Sequence, residues 1–266
     1  MGNNWHLDNG EDSDLEEDLS LAEIIAKLAT EARLEAQADI PRFLAARSIT
    51  SLFHFTSIKN LESIVTHGFL GRESLKAHGL DFTPSDQIRY EPILDGVCFS
   101  LSRPNHYMAA RKIVSGHEMV LLELQGLDGL LTNYNFIASP GNFGSPTLKR
   151  KIESWPEEFI GGQGLMNLFK SSETRKKYSI PDFEPTDLQA EIIVVEHIPW
   201  SYVKKVYFPN STEYSVEEEV RKIVRKLPTG VVLQSQVRDV FPDINWKDNA
   251  VVTEYNERRW NESWTD

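Results

Sequence analysis

The chain contains a single cysteine, Cys98. An intramolecular disulfide is therefore impossible, and neither a cysteine-rich zinc site nor a CxxC redox pair can be built. Cys98 reads as a small core residue. There is no apolar run of about 18 residues or more, so no segment has the pattern of a membrane-spanning helix. The opening stretch MGNNWHLDNGEDSD is acidic and polar where a secretion signal needs a basic start and an apolar centre, and the expectation is a cytoplasmic protein. No internal repeat is present, which argues against a solenoid. Basic charge is also scarce. The 28 Lys and Arg face 40 Asp and Glu, a net of −12, and so large a deficit opposes a surface that binds nucleic acid generally through its phosphates.

The deficit is unevenly spread. Residues 1–50 hold eleven acidic and four basic side chains, a net of −7, which leaves −5 for the remaining 216 residues. Two basic clusters stand out there, Lys149-Arg150-Lys151 and Lys170 with Arg175-Lys176-Lys177. Each offers a local positive patch or simply a solvated face. Residues 1–19 read as a disordered acidic leader, because like charges dominate and little can be buried. A helical segment is expected over 20–48. Ser20 and Glu23 fit a capping box, Leu21, Ile24, Ile25, Leu28 and Ala32 recur at helical spacing, and Pro41 ends or redirects the helix.

From Ser51 the pattern becomes α+β. Strands are expected at SLFHFT, at GVCFSLS, at Met119 to Leu124, at Ala190 to Glu196 and at 203–208, with a helix from Lys59 to His67 ended by Gly68. The stretch from about 126 to 188, rich in Gly, Asn, Ser and Pro, reads as long and irregular, with one helix near Glu158 to Phe169. Ser215 and Glu218 repeat the capping-box spacing before VEEEVRKIVRKL, so 210–266 is expected as a helical appendage to a domain spanning 49–209.

Three segments carry polar side chains that a fold alone does not require. His54 and Thr56, two apart on a strand, face the same way and together suit a polar ligand, with the amides of the next helix nearby. Read alone, the pair fits a satisfied core histidine and a β-favouring threonine equally well. Arg89 suits a diphosphate or a surface ion pair, and Tyr107 a stacked ring or a core-edge aromatic. Glu191 stands at the head of the apolar run IIVV, where a carboxylate is either functional or a solvent-facing strand end. Glu196, at the other end of the run, fits the second description.

Taken in order, FHFT, NLESIVTHGFL, DQIRYE, SLSRPNHYM, PTDLQAEIIV and IPWSYVKKVYF resemble the DarT family of DNA ADP-ribosyltransferases, over residues 50 to 208. The resemblance implies an α+β ADP-ribosyltransferase-like fold with a central NAD-binding cleft, carrying N-terminal and C-terminal helical appendages. It implies that NAD+ is consumed as a substrate without a metal and that nicotinamide is released. ADP-ribose would pass to a base of single-stranded DNA, and an antitoxin with ADP-ribosyl hydrolase activity would remove the mark. It places catalysis on Glu191 and Arg89, and NAD+ binding on His54, Thr56, Asn60, Leu61 and Tyr107. The loop at about 170–190 would recognise substrate DNA through Lys170, Arg175, Lys176, Lys177 and Tyr178, a mixture that suits phosphates and stacked bases. Within SLSRPNHYM, Arg103 and His106 depart from the family's pattern. The same fold acting on RNA or protein, or binding NAD+ without turnover, remains an alternative.

Overall fold

The computed structural model describes residues 39–84, 95–208 and 232–235, with single helical positions between 23 and 31 and between 218 and 225. The expected leader at 1–19 lies outside the described residues.

Helix α1 (Asp39–Ala46) leads into strand β1 (Leu52–Ser57), a 3-10 turn (Ile58–Asn60) and helix α2 (Leu61–His67). Helix α3 (Arg72–Ala77) follows. Beyond residue 95 come β2 (Val97–Leu101), α4 (His106–Val114), β3 (Met119–Leu124), α5 (Leu127–Asn133) and β4 (Phe136–Ser139). Next are α6 (Pro146–Ser154), α7 (Gly161–Asn167), α8 (Ser172–Lys177), β5 (Glu191–Val194), β6 (Val203–Phe208) and β7 (Val232–Ser235). Among the described residues the strands form one sheet in the order β4-β5-β2-β1-β3-β6-β7. Neighbours are antiparallel except β6 and β7.

The sheet is not evenly laced. β1 pairs with β3 along its whole length, from Leu52↔Leu124 to Ser57↔Met119, but with β2 only at Leu52↔Leu101 and Phe53↔Ser100. Past Phe53 the two strands part, and β2 instead pairs with β5 through Val97, Cys98 and Phe99. The sheet is thus split into a β4-β5-β2 half and a β1-β3-β6-β7 half, joined at one end. Both faces are covered. Alternate residues of β5 enter different cores, Ile192 and Val194 the main one and Ile193 a second one with Phe143, Leu148 and Ile152.

The five expected strands are all present. The expected helix before Gly68 is present as the 3-10 turn plus α2. Gly68 has φ +73°, and an added Cβ would fall on His197 Nε2 and Ile198 O, so only glycine fits between α2 and the Phe69↔Ile198 bridge.

Three expectations are corrected. Pro41 lies in the first turn of α1, where its missing N–H costs nothing, so a helix continues past it rather than ending there; the junction with the preceding helix lies outside the described residues. The stretch 126–188 is not irregular, since it contains α5, β4, α6, α7 and α8. Strand β4 is four residues long and buried throughout, so it shows no polar alternation to read. The segment after 209 is more than a helical appendage. Glu218, Lys222, Ile223 and Arg225 are helical, but Ile223 enters the main core and β7 extends the sheet beside β6. The segment at 20–48 also packs on the domain, with Leu28 against the second core and Thr30 Oγ1 accepting from Asn135 Nδ2 at 3.2 Å.

Candidate active site

Where β1 and β2 part, the chain leaves a cavity of about 240 Å³. His54 and Thr56 line it from β1, Cys98 and Ser100 from β2, Asn60 and Ser63 from the turn and helix after β1, and Glu191 from the head of β5. Residues far apart in sequence thus meet because the same strands that build the core also separate at one end.

His54 spans the gap. Its Nδ1 lies 2.9 Å from Cys98 O. A carbonyl only accepts, so Nδ1 carries the proton and, in the neutral ring, Nε2 is an acceptor. The ring is held edge-on to Phe69 at 5.4 Å and tilted against Phe99 at 5.4 Å. Both phenylalanines are fully buried, so the imidazole has one orientation.

Thr56 is buried, and its Oγ1 accepts from Asn60 Nδ2 at 3.0 Å. The same Nδ2 donates to Thr83 O at 2.8 Å, and Asn60 Oδ1 accepts from Thr83 N at 2.7 Å. Asn60 therefore ties β1 to the cavity wall at Thr83. Leu61 is fully buried in the main core, its amide donates to Ile58 O, and it is not among the residues that line the cavity.

Glu191 pairs with Ser139 of β4 and is one residue beyond the Phe99↔Ile192 pair of β2. Its side chain is half-buried, with Oε2 accepting from Phe143 N at 3.2 Å. A carboxylate so placed faces the cavity with its rotation limited by a backbone amide. Glu196 Oε1 accepts from Asn135 N at 2.9 Å, a structural contact at the other end of the strand.

Arg89 lies outside the described residues, as does the side chain of Tyr107. Pro84, Asn105 and Met108 line the cavity. His106 begins α4, and its imidazole is pushed down to about 4 by burial and by the nearby Arg103 guanidinium. Arg103 itself donates to Glu184 Oε2 at 3.1 Å. Arg103 thus joins the segment after β2 to the loop before β5, and its charge also acts on His106.

None of the loop's basic residues lines the cavity. Lys170, Lys176 and Lys177 are exposed, with Lys177 Nζ 4.7 Å from the Tyr178 ring centroid. Arg175 departs from the expectation. Its Nη1 donates to Glu184 O at 2.8 Å and its Nη2 to Pro181 O at 2.9 Å, while the guanidinium sits 5.4 Å from the Phe169 ring. It folds the loop rather than presenting its charge to a ligand. The Tyr178 hydroxyl is buried and has no hydrogen-bond partner among the described residues.

Arg72 and Lys112 line the cavity and were not singled out from sequence. Lys112 had a latent signal, since Asn105, Met108, Ala109 and Lys112 recur at helical spacing along one face of α4 and its approach. Arg72 had none. Among the described residues no cluster of metal-ligating side chains occurs, and no helix is long and apolar enough to cross a membrane.

No family model and no curated protein matches the chain. Solved structures do. Thermus sp. 2.9 DarT in complex with carba-NAD+ aligns with 19% identity and a TM-score of 0.48, over 72% of this chain and 97% of that one. The same protein in complex with ADP-ribosylated ssDNA aligns with 16% identity and a TM-score of 0.42, over 71% and 94%. Thermosipho africanus DarTG in complex with ADP-ribose aligns with 13% identity and a TM-score of 0.45 over 70% of this chain. The chain spans 49% of the length of that DarTG.

Proposed function

We propose that the chain transfers ADP-ribose from NAD+ to a base of single-stranded DNA. The observation that carries this reading is that His54, Thr56 and Glu191, assigned to NAD+ handling by the sequence resemblance alone, line one cavity although β1 and β5 are not neighbours in the sheet. In the reaction, the bond between C1′ of the ribose and the nicotinamide nitrogen breaks, and its electron pair neutralises the pyridinium. A base nitrogen then supplies the pair for a new bond to C1′ and loses a proton. The products are the ADP-ribosylated base, nicotinamide and that proton.

The ribose passes through an oxocarbenium-like state, which a fixed carboxylate stabilises more than it stabilises the ground state. Glu191 takes this role. His54 and Thr56 hold the dinucleotide against β1, and Asn60 keeps Thr56 in place. Arg89 acts on the resemblance alone, by helping remove the proton from the attacking base. Lys170, Lys176 and Lys177, with Tyr178, meet the DNA strand, and the proposal includes a cytoplasmic setting and an antitoxin that hydrolyses the mark, as the resemblance implies.

The test is to incubate the protein with NAD+ and, separately, single-stranded DNA, RNA and protein, then weigh the digestion products. Glu191→Gln keeps the shape and removes the charge. Its transfer rate should fall by about a hundredfold or more, the usual consequence of deleting one preorganised electrostatic contact, with NAD+ binding retained. A folded variant modifying DNA at the parent rate would overturn the role of Glu191, and a mass gain only on RNA or protein would move the acceptor.

A further inference from the structure

The loop before β5 carries Lys170, Lys176 and Lys177 and leads into Glu191, so its place against the sheet sets where a DNA strand lies relative to that carboxylate. From outside the loop, Arg103 reaches it through Glu184 Oε2 at 3.1 Å. Arg47 reaches it from the end of α1, before the stretch that resembles the DarT family. Its Nη1 donates to Asp182 O at 3.0 Å, and its guanidinium lies 4.5 Å from the centroid of the Phe169 ring and 5.0 Å from that of Phe43. Phe43 in turn meets Phe169 edge-on at 5.4 Å. Phe169 directly precedes Lys170, and Asp182 directly precedes the exposed Phe183, so Arg47 grips the loop beside its outward-facing residues.

The backbone under Arg47 is fixed independently of that loop. Ile40 and Leu44 bury α1 in the main core together with Ile49. Ile49 N donates to Leu44 O at 2.9 Å and Ser48 N to Ala45 O at 3.1 Å, with Ser48 at φ +56°, the paired bonds of a left-handed helix cap. Glycine usually takes that position, and a serine persists there only where the surrounding structure over-determines the turn. Arg47 therefore projects from a rigid point. A planar guanidinium can stack on a ring and donate to a carbonyl at once, which suits it to hold a neighbouring segment.

We infer that Arg47 is a positioning residue for transfer to DNA: it ties the loop that meets the strand to α1 and so sets the distance between that strand and Glu191. This rests on the reading of the loop as the one that meets DNA, and it extends that reading to an element outside the family-like stretch. Arg47 is not among the residues that line the cavity, so it acts through the loop and not on NAD+.

The test compares Arg47→Ala and Arg47→Lys with the parent, each as the full chain. In Arg47→Ala the KM for single-stranded DNA should rise about fivefold to thirtyfold, the consequence of losing a charged donor and a ring contact, while NAD+ affinity by calorimetry stays within twofold. Amide hydrogen exchange over 170–186 should quicken by a similar factor, with β1 and β3 exchanging as in the parent. Arg47→Lys should recover part of both effects. The dependence of the DNA KM on salt should keep its slope, because Arg47 meets no phosphate. A DNA KM within twofold of the parent in Arg47→Ala overturns the assignment, as does a loss of NAD+ affinity as large as the effect on DNA. A salt slope shallower by about one phosphate makes Arg47 a DNA contact and overturns its positioning role. If the parent modifies no DNA, the DNA reading falls by itself: quickened exchange in Arg47→Ala then keeps Arg47 as the anchor of the loop, and unchanged exchange removes that as well.

Discussion

At the head of α4, burial and the Arg103 guanidinium hold His106 neutral, down to about 4 from an ordinary 6.5. The sign of the effect on stability follows directly. The folded chain binds its proton at lower pH than the unfolded chain, so the contribution is complete above about 6.5 and is lost as pH falls toward 4. Replacing His106 by Gln should flatten the stability curve across that window by up to about 3 kcal/mol relative to the parent. Urea melts at a series of pH values check this, and superimposable curves for parent and variant would reject it. The same pairing shows what was legible residue by residue. Glu191 stood out because a carboxylate at the head of an apolar strand needs a reason. Arg103 registered only as a departure, because its partner, Glu184, sits on a distant loop.

The loop before β5 separates two uses of positive charge. Arg175 spends its donors on Glu184 O, Pro181 O and, at 3.3 Å, Thr186 Oγ1. Arg175→Ala should therefore cost about 1–3 kcal/mol, because it removes several hydrogen bonds from a charged donor to the loop, those to Glu184 O and Thr186 Oγ1 being part-buried. Replacing Lys170, Lys176 and Lys177 together by Ala should leave the melting temperature nearly unchanged and weaken the use of DNA, with a shallower dependence on salt. Parallel thermal melts and DNA-modification rates across a salt series distinguish the two. Equal destabilisation by both sets of changes would show that the lysines are also built into the loop. In sequence the four cations look alike, since composition does not reveal which one meets carbonyls and which meet water. Strand β4 was hidden for a related reason. Its four residues are buried on both faces, and the alternation that marked β1 is missing.

Charge acts over the whole molecule. Residues 1–19 contain seven carboxylates and no Lys or Arg, so removing them takes the net from −12 to −5. Repulsion of a DNA strand should fall, most clearly at low salt, where screening over about 8 Å or more is incomplete. The truncated protein is expected to turn over NAD+ at the parent rate and to bind single-stranded DNA more tightly below physiological salt. Fluorescence anisotropy at two ionic strengths measures this, and equal affinity at both would assign the leader no electrostatic part.

The periodic elements can be read from the chain residue by residue. Strands β1, β2, β3, β5 and β6 and the helix before Gly68 follow from local alternation, from apolar runs bounded by turn residues and from helical spacing, all within reach of a few neighbours. The sequence also brought His54, Thr56 and Glu191 forward as polar residues on apolar elements. Only the tertiary structure decided that they share a cavity, because that depends on β1 leaving β2 after two paired residues while β2 turns to β5. It alone decided that Leu61 belongs to the core, that Arg175 belongs to its own loop, and that Arg72 and Lys112 face the site. Pairing and docking are non-local: where a side chain ends up depends on which distant strand or helix lies against it, and no short window of sequence carries that information.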